Sequence, residues 1–143
     1  MIATVLAAVI SKMSTDATLI GYLGGAFVYP GWLTENMTIP CVTAIENNES
    51  STPRVGYAVY KNRDNAPMLQ IDIWISRDDE DGPNTIEDIE QIVNRIDVLF
   101  IGDNVANTRS WRRVSSSGPS KDPDDQRLIH KSLRYGFEYK VTD

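Results

Sequence analysis

The sequence predicts an α+β fold: an antiparallel or mixed sheet of about five strands with two main helices packed on one face. Three observations point there. The run "MLQIDIWIS" alternates, with Leu69, Ile71, Ile73 and Ile75 on one side and Gln70, Asp72, Trp74 and Ser76 on the other, the period-two pattern of a strand with one buried face. Shortly after it, Ile86, Ile89, Val93, Ile96 and Phe100 recur at helical spacing, which gives one apolar stripe on a helix. The order of elements is helix, helix, strands, helix, strands. A sheet with its helices gathered on one face satisfies that order.

The elements follow in turn. Ile2, Val5, Leu6, Val9, Ile10 and Met13 fall on one helical face. Ser14, Thr15 and Asp16 offer caps for a second short helix through Leu19, Ile20 and Leu23, which Gly24-Gly25 ends. "AFVYP" predicts a short strand closed by Pro30-Gly31. "PCVTAIEN" predicts another, with Val42 and Thr43 on opposite sides and Ile45 continuing one of them. Val55 to Ser76 is expected to form a hairpin, with Gly56–Tyr60 as one arm, "KNRDNAP" as the connection and Met68–Ser76 as the other arm. Asn84 or Thr85 caps the long helix, and Glu87, Asp88 and Glu90 place negative charge where its dipole favours it. Gly102 ends that helix. "TRSWRRV" predicts a strand, "SSSGPSKDPDD" a mobile, turn-rich loop. In the last strand, Leu128 to Val141, the residues Leu133, Tyr135, Phe137, Tyr139 and Val141 share a face.

At 143 residues, with neither an internal repeat nor a linker, the chain reads as one domain over 1–143. A chain of this size buries roughly 70% of its unfolded surface, enough for a proper core. The net charge of −6 argues against general nucleic-acid binding, which needs a basic surface. A single cysteine, Cys41, can form neither an internal disulfide nor a thiolate zinc site by itself and suits a reducing compartment. The apolar N-terminal run is preceded by no basic residue, is followed by Lys12 and is too short to cross a bilayer, so a buried helix is expected and no membrane partner.

Candidate chemistry is sparse. Aligning "RDDEDGPN" with a calcium loop puts Gly82 sixth, but it also puts a cation, Arg77, first and the short Asp88 last, a poor match. Adjacent exposed acids also lack the divided environments that make an acid–base pair. Cys41 and His130 could form a thiol–imidazole dyad, but no helix start lies near the thiol to activate it, and a small core cysteine is the plainer expectation. "RSWRR", Arg109 to Arg113, either grips phosphate or a base, or is an edge strand whose arginines pair with acids of this chain or a neighbouring copy. Neither a phosphate-cradling loop, a dinucleotide fingerprint nor zinc spacing is present. No catalytic residue, metal or cofactor is therefore expected.

The layout resembles the tail terminator, or tail completion, proteins of long-tailed bacteriophages. The features that carry the resemblance are the helix "IATVLAAVI", the segment "LIGYLGGAFVYPG", the strand "IPCVTAIEN", the strand "LQIDIWIS" running into "TIEDIEQIVNRIDVLF", and the closing "LIHKSLRYGFEYKV". It spans nearly the whole chain as a match of order and texture. It implies a virion protein at the tail–head junction, assembled in the host cytoplasm. Such a protein forms a ring, typically hexameric, that caps the tail tube, halts its polymerisation and offers the head–tail connector a docking surface. The expected partners are further copies of the chain, the tail tube protein and the connector.

A ring needs unlike contacts on the two sides of each subunit. Trp74, Trp111, Arg109, Arg112 and Arg113 are the expected interface residues, although a second core layer explains the tryptophans, Trp32 included, about as well. Asp78, Asp79, Glu80 and Asp81, with Asp122, Asp124 and Asp125, are expected to face a lumen or rim past which DNA slides without being recognised. Other readings stay open: another neck, connector or baseplate component, a small cytosolic metal-dependent enzyme using the acidic turn, or a stand-alone adaptor.

Overall fold

The alternation of the "LQIDIWIS" segment becomes the middle strand of a five-stranded sheet. A computed structural model of the chain describes residues 2–34, 36–46, 67–76, 86–102, 105–106, 108–121 and 128–139. Within them run α1 (Ile2–Ser14), α2 (Ala17–Leu23), β1 (Val28–Pro30), β2 (Cys41–Glu46), β3 (Met68–Ser76), α3 (Ile86–Phe100), β4 (Thr108–Lys121) and β5 (Leu128–Tyr139). The sheet order is β1-β2-β3-β5-β4. β1 pairs with β2 in parallel and the remaining pairs are antiparallel, so the sheet is mixed and the class is α+β, as the sequence predicts.

One face of the sheet carries the core. Val42 and Ala44 of β2, Leu69, Ile71, Ile73 and Ile75 of β3, and Leu133, Tyr135 and Phe137 of β5 are all buried there. Val5, Val9 and Met13 of α1, Leu19 and Leu23 of α2, and Ile89, Ile92, Val93, Ile96 and Phe100 of α3 close over them. Each such aliphatic side chain contributes roughly 1.5–3 kcal/mol relative to exposure.

The helix ends follow their local chemistry. Asp16 Oδ2 accepts the Leu19 N–H at 2.9 Å and starts α2. The same carboxylate takes two bonds from Arg95 of α3, Nε at 2.8 Å and Nη2 at 2.6 Å, which ties the long helix to the cap. That guanidinium is the largest cause holding the Asp16 carboxyl below its ordinary range. Gly24, at φ 80°, closes α2 by donating its N–H to the Ile20 carbonyl at 2.8 Å.

Two expectations change. The predicted loop "SSSGPSK" is strand: β4 runs to Lys121, with Ser115 opposite Arg134, Ser117 opposite Ser132 and Ser120 opposite His130. The long β5 supplies register partners for Ser115, Ser116, Ser117, Ser120 and Lys121, leaving Gly118 and Pro119 in a register shift, and that pairing outweighs the turn preference of serine, glycine and proline. Gly118, at φ 91°, is the concession. A Cβ there would lie 2.9 Å from the His130 carbonyl oxygen, so a side chain would collide with the partner strand. Tyr139 lies on the same side as Phe137 but is exposed, because the strand has run past the helices that cover the core. The Gly56–Tyr60 arm, the Asn84 and Thr85 caps, Val141 and the Asp122–Asp125 part of the predicted loop lie outside the described residues. Among the described strands, β3 has β2 and β5 as its neighbours.

Candidate functional site

β4 is the exposed edge of the sheet, and three register shifts decide where its side chains go. Under strict alternation Arg109, Trp111 and Arg113 would share a face. Instead Ser110 takes φ 58° at the first shift, between Arg109 and Arg112, and the extra residue swings the next side chain to the opposite side. Trp111 therefore turns inward and is 2% exposed. Its ring stacks on Phe137 at 4.5 Å and on Phe100 at 5.4 Å, and Nε1 donates to Thr108 Oγ1 at 2.7 Å. Of the two roles the sequence offers Trp111, an interface or a second core layer, the burial in this chain fits the second: the indole belongs to the core.

The arginines separate into two kinds. Arg109 lies opposite Glu138 and pairs with it at 3.5 Å, both side chains more than half exposed. Arg113, opposite the buried Tyr135, reaches Asp97 of α3 at 3.6 Å. The Tyr135 hydroxyl also donates to Asp97, and burial with that bond pushes the Tyr135 phenol well above its usual pKa. Arg112 and Arg134 differ from both. Among the described residues neither guanidinium makes an ion pair or a hydrogen bond.

Both unpaired arginines belong to the second face of the sheet, where no described helix packs. Cross-strand register arranges this face in rows. One row is Ile45, Gln70, Arg134 and Ser115; the next is Thr43, Asp72, Ser132 and Ser117; a third is Cys41, Trp74, His130 and Ser120. Asp72 is 2% exposed yet satisfied, accepting from Ser132 Oγ and from Gln70 Nε2 at 3.0 Å. Trp74 is half-buried, donates Nε1 to Thr43 Oγ1 at 3.0 Å and stacks on His130 at 4.7 Å. Beside these rows lies a depression of about 140 Å³ lined by Ser115, Ser116, Ser117, Ser132 and Arg134. Gly136 continues the face. With no side chain of its own, it lets Val114 and the Arg112 guanidinium lie across it, 3.0 and 3.5 Å from where a Cβ would stand.

The rows also separate the Cys41–His130 pair. Trp74 stands between them, so the two lie two strands apart, about 9–10 Å. Burial pushes the Cys41 thiol up to about 12, far from the thiolate that nucleophilic chemistry requires. Cys41 is a small buried residue, as the sequence suggests, but it belongs to the second face and not to the cluster under the helices.

Asp78, Asp79, Glu80, Asp81, Asp122, Asp124 and Asp125 lie outside the described residues, and with them the acidic turn on which the metal reading depended. Arg134 and the serines of β4 did not stand out in the sequence. The signal for Arg134 was its even position in the last strand, opposite the aromatic row. The serines were masked by their turn-forming composition.

Neither a protein-family model nor a curated protein sequence matches the chain. Among solved structures, the fold is similar to a chain of the virion of a native gene transfer agent (GTA) particle, with a TM-score of 0.63 at 12% identity over 95% of this chain and 94% of that one. At that identity the likeness is one of fold.

Proposed function

We propose that this chain is a structural subunit of a phage-like virion, forming a ring that caps the tail tube, stops its polymerisation and presents the docking surface for the head connector. The observation that carries this reading is a fold shared along nearly the whole length with a chain from a virion particle. The edges of the sheet support it. β1 is three residues long, with Trp32 exposed to 63% just beyond it, whereas β4 is fourteen residues long, with Val114 exposed to 51%. Two unlike edges suit a head-to-tail contact, the kind that closes into a ring. The protonated, buried thiol of Cys41 supports a structural role over a catalytic one.

In this reading the partners are copies of the chain, the tail tube protein and the connector, at the tail–head junction of a virion assembled in the host cytoplasm. Trp74, Arg109, Arg112 and Arg113 lie near the subunit contacts. Asp78–Asp81 with Asp122, Asp124 and Asp125 stand at the rim or lumen, and DNA passes without being recognised. No cofactor is involved. Native mass spectrometry and negative-stain imaging of the purified chain, with and without tail tube subunits, test this. A closed ring of tail-tube width is the expected outcome. A chain that stays monomeric in both conditions overturns the reading.

A further inference from the structure

Charge is not spread evenly along the sheet. β3 ends at Ser76, opposite Leu128, and β4 ends at Lys121, opposite Ile129. Directly after these two ends the sequence runs into Asp78–Asp81 and Asp122–Asp125. The two acid-rich stretches therefore join the sheet at the same end. Toward the other end of β4 stand Arg109 and Arg112, with Arg134 midway along β5 and Gly136, which Arg112 overlies, about 24 Å along β5 from Ile129. Arg109 is neutralised by Glu138. Arg112 and Arg134 are not neutralised by any described residue.

A net-acidic chain with two guanidiniums on one face that have no partner among the described residues, one of them, Arg134, beside serine hydroxyls, has the chemistry of an oxyanion site. Guanidinium forks match carboxylate geometry, Ser115 and Ser117 add donors, and the 140 Å³ depression exceeds what a single water needs. Arg134 and the Gly136 position lie two residues apart on β5, a spacing of about 7 Å. Acids at alternate positions of an extended segment have the same spacing, and Asp78 with Glu80, Asp79 with Asp81, and Asp122 with Asp124 all supply it. Acid-rich sequence follows the strand ends at one end of the sheet, and arginines without a described partner stand farther along β4 and β5, so the chain is complementary to itself in a head-to-tail sense.

We propose that Arg112, Arg134 and the serine-lined depression between β4 and β5 form a docking site for carboxylates presented by a second copy of this chain. This deepens the ring reading, on which the identity of the occupant rests, and it makes part of the acidic rim a subunit contact.

Two measurements test it. The first titrates the peptide SRDDEDGPN, residues 76–84, into the full-length chain by calorimetry. It should bind, weaken as salt rises, and lose at least tenfold in affinity in an Arg112→Gln/Arg134→Gln variant. A peptide with its four acids replaced by Asn and Gln should not bind. Arg134→Lys should recover only part of the affinity, since it keeps the charge but not the fork. Undiminished binding in the double variant, no binding by the acidic peptide, or a preference for inorganic phosphate or duplex DNA overturns the proposal. The second compares the concentration at which wild-type and double-variant rings form. An unchanged ring sinks this site and leaves the ring reading standing. If the wild type forms no ring, that reading fails, and the peptide titration still decides the site. Neither guanidinium has a described internal partner, so circular dichroism should report the double variant as folded as the wild type.

Discussion

The two faces of the sheet are built from alternate residues of the same strands, yet they are held together by different physics. Under the helices, Ile71, Ile73, Ile75, Leu133 and Phe137 fill volume, and their neighbours need only be apolar and well fitted. On the second face, Asp72 is as buried as a core residue but depends on particular donors, Ser132 and Gln70, while Trp74 depends on Thr43 and His130. The first face tolerates changes of identity and punishes changes of size. The second punishes the loss of a named partner. The second face is also where charge is left over, in Arg112 and Arg134, and so where a partner can gain a purchase.

The largest contrast should come from Trp111. Trp111→Ala removes a buried indole from between Phe100 and Phe137 and is expected to cost about 3–5 kcal/mol, read as a lower urea midpoint. A loss below about 1 kcal/mol would return Trp111 to the surface. On the other face, Asp72→Ala leaves the Ser132 and Gln70 donors without their acceptor and should cost about 1–3 kcal/mol. A double-mutant cycle with Ser132→Ala should show a coupling above roughly 0.5 kcal/mol, and strict additivity would remove the pair from the account.

Asp16, at the junction of α2 and α3, should come next. Asp16→Ala loses an N-cap worth about 1 kcal/mol, with the Arg95 bonds in addition. The folded-state pKa of Asp16 lies below its ordinary 3.8. The stability it supplies is therefore fully present above pH 3.8 and is lost as pH falls through the lower folded value. Melting curves of wild type and variant should converge across that acid range. If they stay equally far apart there, the carboxylate is not the group responsible. The smallest effect belongs to Arg109→Ala. Its pair with Glu138 is solvated on both sides, so a change within about 0.5 kcal/mol is expected.

Much of this organisation is legible in the sequence, but unevenly. β3 and α3 follow from period alone because each has one apolar face and one polar face, and a single wrong step would put a whole set of side chains in water. Asp16 and Gly24 mark α2 through hydrogen bonds that reach only three or four residues. β4 was half legible. "TRSWRRV" reads as strand, but Ser110 inserts an extra residue and reverses the sides that counting by twos assigns to Trp111 and Arg113. "SSSGPSK" carries turn chemistry and becomes strand only because β5 is long enough to pair with it. The candidate docking site was illegible for the same reason: Arg134 meets Ser115, and Ser132 meets Ser117, through cross-strand register, and that register passes through the shifts.

What the chain determined by itself is the set of local choices: which residues are helical, which alternate, where a cap or a glycine stops an element, and that no thiol or imidazole had an activating neighbour in sequence. Those follow from interactions over a few residues, whose strengths depend on side-chain type. Only the folded sheet decided which arginines find acids and which do not, that Trp74 stands between Cys41 and His130, and that Trp111 is core. These depend on how residues far apart in the chain come to lie in register across strands, and a shift of one residue exchanges the two faces.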